Sequence, residues 1–145
     1  MNKLSIYVAG PLTHLKDPAI KDLYVAIGKL AEELDIDAIV PHVNVEQHSN
    51  LFTPQFIYHA DRKAVREADV MIAYIGEVSL GVGVEIEIAN QNNTILVTYS
   101  EEGTKISRMV LGSPSLIMHI EFKETDEVLA KLRPVLEKLK ASLIR

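Results

Sequence analysis

Apolar residues along the chain fall into two rhythms. Short runs such as "LSIYVA" (Leu4–Ala9), "DVMIAYI" and "TILVTY" are almost unbroken, as expected of strands covered on both faces. "DAIVP" and "SLIMHI" predict two further strands. Between them the spacing changes to three and four. Ile20, Leu23, Ile27, Leu30 and Leu34 predict a helix from about Asp17, with Pro18 in its first turn. "TPQFIYHADRKAVREA" predicts a second, with Thr53 as N-cap and Pro54 at its first position. A last helix is expected from Thr125 to Ile144 on Val128, Leu132, Val135, Leu136 and Leu139, with Pro134 expected to break or kink it. Gly10-Pro11 ends the first strand.

Alternation of strands and helices predicts a three-layer, doubly wound α/β fold, flavodoxin- or Rossmann-like, with a mainly parallel five-stranded sheet and one domain over residues 1–145. Ligands in such sheets sit at the carboxyl ends of strands. The loops Gly10–Lys16, Pro41–Leu51, Gly76–Gly81 and Ser100–Ser107 are therefore the places to look. One segment has two readings. "VGVEIEIANQNNTILVTY" alternates with period two around Asn92-Asn93, which fits a β-hairpin with Glu85 and Glu87 on one solvated face. The strand–helix alternation favours a helix from about Gly81 to Asn90 instead.

Composition narrows the function. Hydrophobic residues make up 48% of the 145 positions, too many for a disordered chain. A formal net charge of −5 argues against a nucleic-acid polymer as partner. With no cysteine, disulfides and thiolate chemistry are excluded, and a reducing cytoplasm is the compatible location. No apolar run is long enough for a membrane span, and "MNKLSIYVAG" is too short and strand-like for a signal peptide.

Two acids stand out. On the second predicted helix the apolar stripe is Ile57, Ala60, Ala64, Val65 and Ala68, and Asp61 lies within it. An acid there is costly unless paired, hydrogen-bonded or protonated, so it either caps a neighbouring loop or does chemistry. Glu85 follows a small-residue loop. On the helical reading it lies in early turns, where the macrodipole favours an ionised carboxylate. Asp61 with a raised pKa and Glu85 kept charged would make the pair that glycosidic cleavage uses, one proton donor and one nucleophile. Tyr7 lies on the first strand, its hydroxyl near the same crevice. Other motifs are weaker. Gly81-Val82-Gly83 lacks the third glycine of a dinucleotide fingerprint. His42 and His48 lack a ligand cluster, so no metal is expected, the two-carboxyl reading needs no cofactor, and His14, His59 and His119 carry no motif.

Taken together, "IYVAGPL", "DRKAVREADVMIAYI", "SLGVGVEIEIA" and "KISRMVLG" resemble the nucleoside 2-deoxyribosyltransferase family, most closely its 2′-deoxynucleoside 5′-monophosphate N-hydrolases. The resemblance implies a helix at Glu85. It implies that Glu85 is the nucleophile at the anomeric carbon, that Asp61 handles the proton of the departing base, and that Tyr7 positions nucleophile and sugar. It also implies a homo-oligomer, a dimer by preference, in which Ser107 and Met109 reach a neighbouring subunit's site. Ser79 stands where the transferases carry an acid near the sugar 5′-hydroxyl, and a hydroxyl beside helix amides suits a 5′-phosphate. Gly10, Gly81, Gly83 and His42 complete the candidate substrate-binding set. "AGPLTH" departs from the hydrolase pattern, since it lacks an arginine after the first strand. The substrate implied is a nucleotide or nucleoside. The alternatives are a base-exchanging transferase and a non-catalytic nucleotide sensor.

Overall fold

The computed structural model describes residues 2–41 and 52–143. In chain order these give β1 (Ser5–Ala9), α1 (Ala19–Glu33), β2 (Asp37–Ile39), α2 (Pro54–Glu67), β3 (Val70–Tyr74), α3 (Leu80–Gln91), β4 (Ile95–Glu101), α4 (Arg108–Leu111), β5 (Leu116–Phe122) and α5 (Asp126–Leu143). The strands form one sheet in the order β2-β1-β3-β4-β5, and every pair is parallel. Expected strand–helix alternation and layering are therefore observed. The order reverses at β1, which opens a crevice beyond the carboxyl ends of β1 and β3.

Period-two alternation divides each strand between two cores. Ile6, Val8, Ile72, Tyr74, Val97 and Tyr99 pack with α1 and α5 on one face. Tyr7, Ala9, Met71, Ala73 and Leu96 pack with α2 and α3 on the other. Tyr7 is thereby turned toward the helices that carry the two acids.

The ambiguous segment is a helix, and the turn signal that suggested a hairpin has another use. Asn92 is the C-cap of α3, and Asn93 follows with φ 58°. An asparagine tolerates the left-handed conformation that ends a helix, so Asn-Asn closes α3 before β4 begins. At the other end the Ser79 hydroxyl accepts from the Val82 amide at 3.3 Å. Thr53 caps α2 as expected, accepting from Phe56 N at 3.1 Å, with Pro54 next. Helix α5 does not break at Pro134. Leu132 and Leu136 on either side are both fully buried, and this anchoring offsets the lost backbone hydrogen bond. Among the described residues no helix is long and apolar enough to cross a membrane.

Candidate active site

Strand β1 points Tyr7 into the α2/α3 face, where the side chain is buried. Its hydroxyl donates to Glu85 Oε2. Glu85 is in the second turn of α3, and helical side chains lean toward the N-terminus, which brings its carboxylate over β1. Asp61 lies on α2, half-buried, and its charge acts on both Glu85 and Tyr7. Three residues far apart in sequence, from β1, α2 and α3, thus converge.

Their electrostatics differ from the expectation in one respect. Glu85 is not held ionised by helix donors. Burial pushes its carboxyl up to about 7, opposed by the Tyr7 hydrogen bond and reinforced by the charge of Asp61. Glu85 lies beyond the first turn of α3, where the helix dipole fades, and desolvation wins. Asp61 is also raised, by burial, as anticipated. The Tyr7 hydroxyl is driven well above its ordinary range by burial, then by Glu85 and Asp61, so it acts as a donor. The two carboxyls therefore compete for protons within one small volume.

The apolar stripe around Asp61 is also less uniform than its spacing suggests. Val65 is buried, and Ala64 and Ala68 pack on the core, but Ile57 is 38% exposed. Asp61 sits where the stripe leaves the core. Among the described residues it has no hydrogen-bond or ion-pair partner.

A cavity of about 220 Å³ adjoins the start of α3. Ser79, Val82, Gly83 and Ile86 supply one wall, while Lys105, Ser107 and Val110 supply another. Ser79 and Ser107 of one chain are thus brought to one space. Of the other candidates, Gly83 lines this cavity, and a side chain there would meet nothing within 4 Å, so packing does not demand glycine. Gly81 is exposed outside the lining. Gly10 packs against the Tyr24 ring, leaving no room for a Cβ, and its role is this close approach. Met109 is 88% exposed and does not line the cavity. His42 and His48 lie outside the described residues.

Sequence reading passed over Glu77 and Lys105, which also line the cavity. Both belong to loops that the carboxyl-end rule singles out, and charge within those loops was the available signal. It also passed over the support beneath them. The Tyr74 hydroxyl donates to Glu101 at 2.8 Å, and this pair packs so closely on Gly76 that a Cβ there would clash. Glu77 accepts from Lys16 N at 3.0 Å, tying loop 76–79 to loop 10–16.

A family model described as nucleoside 2-deoxyribosyltransferase matches residues 6–133. Two curated relatives carry the name "Putative 2'-deoxynucleoside 5'-phosphate N-hydrolase 1". The one from Syntrophotalea carbinolica is 35% identical over 83 residues, which is 56% of this chain and 55% of that protein. The chain thus spans about half the length of that relative. The one from Methanosarcina mazei is 26% identical over 133 residues, 90% of this chain and 81% of that protein. Among solved structures, the Clostridium botulinum CMP N-glycosidase BcmB superposes with a TM-score of 0.70 at 17% identity, covering 90% of this chain and 98% of that one. At that identity the likeness concerns the fold alone.

Proposed function

Since the chain belongs to the nucleoside 2-deoxyribosyltransferase family, we propose that it is an N-glycosidase that cleaves the base–sugar bond of (2′-deoxy)nucleoside 5′-monophosphates. The observation that carries this reading is the hydrogen bond from buried Tyr7 to Glu85 beside Asp61. In the reactive form Glu85 is ionised and Asp61 carries the proton. Tyr7 engages Oε2 and leaves the other oxygen to attack C1′. As the new C–O bond forms, the C1′–N bond breaks, its electron pair goes to the base, and Asp61 protonates the base. Water then attacks C1′ of the glycosyl ester and gives a proton to Asp61. Glu85 leaves as the carboxylate, and sugar phosphate is released. Positive charge developing at C1′ favours the ionised form of Glu85 that burial alone disfavours.

The phosphate preference draws support from Ser79 at the α3 N-cap. The names of the curated relatives point the same way. Incubation with a panel of nucleosides and nucleotides, followed by chromatography of free base, tests the reading. Nucleoside monophosphates are expected to release base, and nucleosides to do so far more slowly. A new nucleoside formed when a second base is added would instead mark a transferase. No base released from any substrate would mark a binding module. Ser79→Asp is expected to cut nucleotide turnover by roughly a hundredfold while sparing nucleosides, because it sets a charge against the dianion.

The resemblance assigns Ser107 to a neighbouring subunit's site, in a dimer. A second reading is favoured by the cavity, where Ser79 and Ser107 of the same chain meet. Mixing Glu85→Ala subunits with Ser107→Ala subunits separates them. A hybrid dimer regains one intact site, and hence activity, only if Ser107 acts across the interface.

A further inference from the structure

We propose that Lys105 is the cation that reads the 5′-phosphate, so that preference for nucleotides over nucleosides depends on the β4–α4 loop. This rests on the reading of the substrate as a nucleoside monophosphate. The cavity beside Ser79 has a charge problem that hydroxyls do not solve. Glu77 lines it, and a phosphate dianion brought near that carboxylate is repelled. Among the described residues Lys105 is the one cationic residue in the lining, and no ion pair occupies it. Glu77 is meanwhile engaged by the Lys16 amide, at 3.0 and 3.2 Å, which holds it in place.

The backbone that carries Lys105 is well fixed. Glu101 at the end of β4 is gripped by the Tyr74 hydroxyl. Gly103 turns the chain at φ 81°, a conformation that suits glycine, and Thr104 N donates to Glu101 O at 3.2 Å. Lys105 follows directly, with its flexible stem free to reach an anion at the cavity. Ser107, two residues on, lines the same space. The loop after β1 carries no arginine, and its own lysine, Lys16, lies outside the lining. Charge for the phosphate therefore comes from the other side of the crevice.

The test compares Lys105→Met, Lys105→Arg and Lys16→Met with the parent. Two readouts are used: kcat/KM on matched nucleoside and nucleoside 5′-monophosphate, and calorimetric binding of 2-deoxyribose 5-phosphate. Lys105→Met is expected to lose about tenfold to a hundredfold in kcat/KM on the nucleotide, as for loss of a charge-assisted hydrogen bond, with nucleoside cleavage unchanged. Binding of the sugar phosphate should weaken in parallel and become less sensitive to salt. Lys105→Arg should retain most of both, and Lys16→Met should match the parent. Equal losses on nucleotide and nucleoside, or a nucleotide preference that survives Lys105→Met, would overturn the role of Lys105 and leave the glycosidase reading intact. If the parent neither binds the sugar phosphate nor prefers nucleotides, the phosphate reading falls and Lys105 with it.

Discussion

Glu85→Ala is expected, on the proposed mechanism, to lose at least about a thousandfold in base release, because among the described residues no other carboxylate stands where Tyr7 holds this one and covalent catalysis would have no substitute nucleophile. Glu87→Ala should stay within a few-fold, since Glu87 is exposed on α3 and accepts only from Asn90 and Gln91. Two variants that lose activity alike would remove Glu85 from the chemistry. The parent should also show a signature in pH. The reactive form holds one proton on the pair, with Glu85 ionised and Asp61 protonated, so kcat/KM should trace a bell in pH: it falls at acid pH, where both carboxyls are protonated, and again as pH rises through the value of about 7 to which burial raises Glu85, where the pair loses its last proton.

The same shift has a consequence for stability, with a fixed sign. The folded chain binds this proton more tightly than the unfolded chain does. Glu85 therefore destabilises the fold increasingly as pH rises from about 4.5 to about 7, by on the order of 2–3 kcal/mol. Glu85→Gln, which is neutral and still accepts from Tyr7, should melt higher than the parent above pH 7 and match it near pH 4. An unchanged difference across that range would mean that Glu85 is not desolvated.

Asp61→Asn is the second large effect. The amide keeps the shape of the carboxyl but delivers no proton. Substrates whose base leaves only when protonated should slow by roughly a hundredfold or more. A sugar 5-phosphate bearing a nitrophenolate, which leaves unaided, should suffer much less. Asp61 shares its field with Glu85, so the variant should also lower the pH at which Glu85 ionises, and the alkaline fall of the pH profile, which reflects loss of the shared proton, should disappear. Equal losses on both substrates, with the alkaline fall retained, would reduce Asp61 to a structural role.

The architecture was legible because its signals are local and repeated. Apolar runs of strand length alternate with stripes of helical spacing, and the nearly unbroken apolar cores of "LSIYVA" and "DVMIAYI" suit strands covered on both faces. Caps were equally plain. Thr53-Pro54 names the start of α2 from two residues, since one supplies an acceptor and the other has no amide to satisfy. The segment around Glu85 was not decided locally. Its period of two fits a strand as well as a helix that is apolar nearly all round, and β4 and the two helix layers choose between them. Pro134 is a similar case. A local rule expects a break, but burial of Leu132 and Leu136 holds the helix together.

The candidate site divides along the same line. Residue types alone mark Asp61 and Glu85 as unusual, because an acid among aliphatics is costly wherever the chain goes. Which of the two carries the stronger perturbation depends on surroundings assembled from β1, α2 and α3, and there burial overrides the helix dipole at Glu85. The cavity with its serines, Glu77 and Lys105 exists only once the β3–α3 and β4–α4 loops meet. Sequence by itself determined the fold class and which carboxylates are out of place, since both follow from solvation of single residues and short periods. Only the tertiary structure decided how strongly each carboxyl is desolvated and which charge stands beside Ser79, because those depend on distances between segments that sequence separation does not encode.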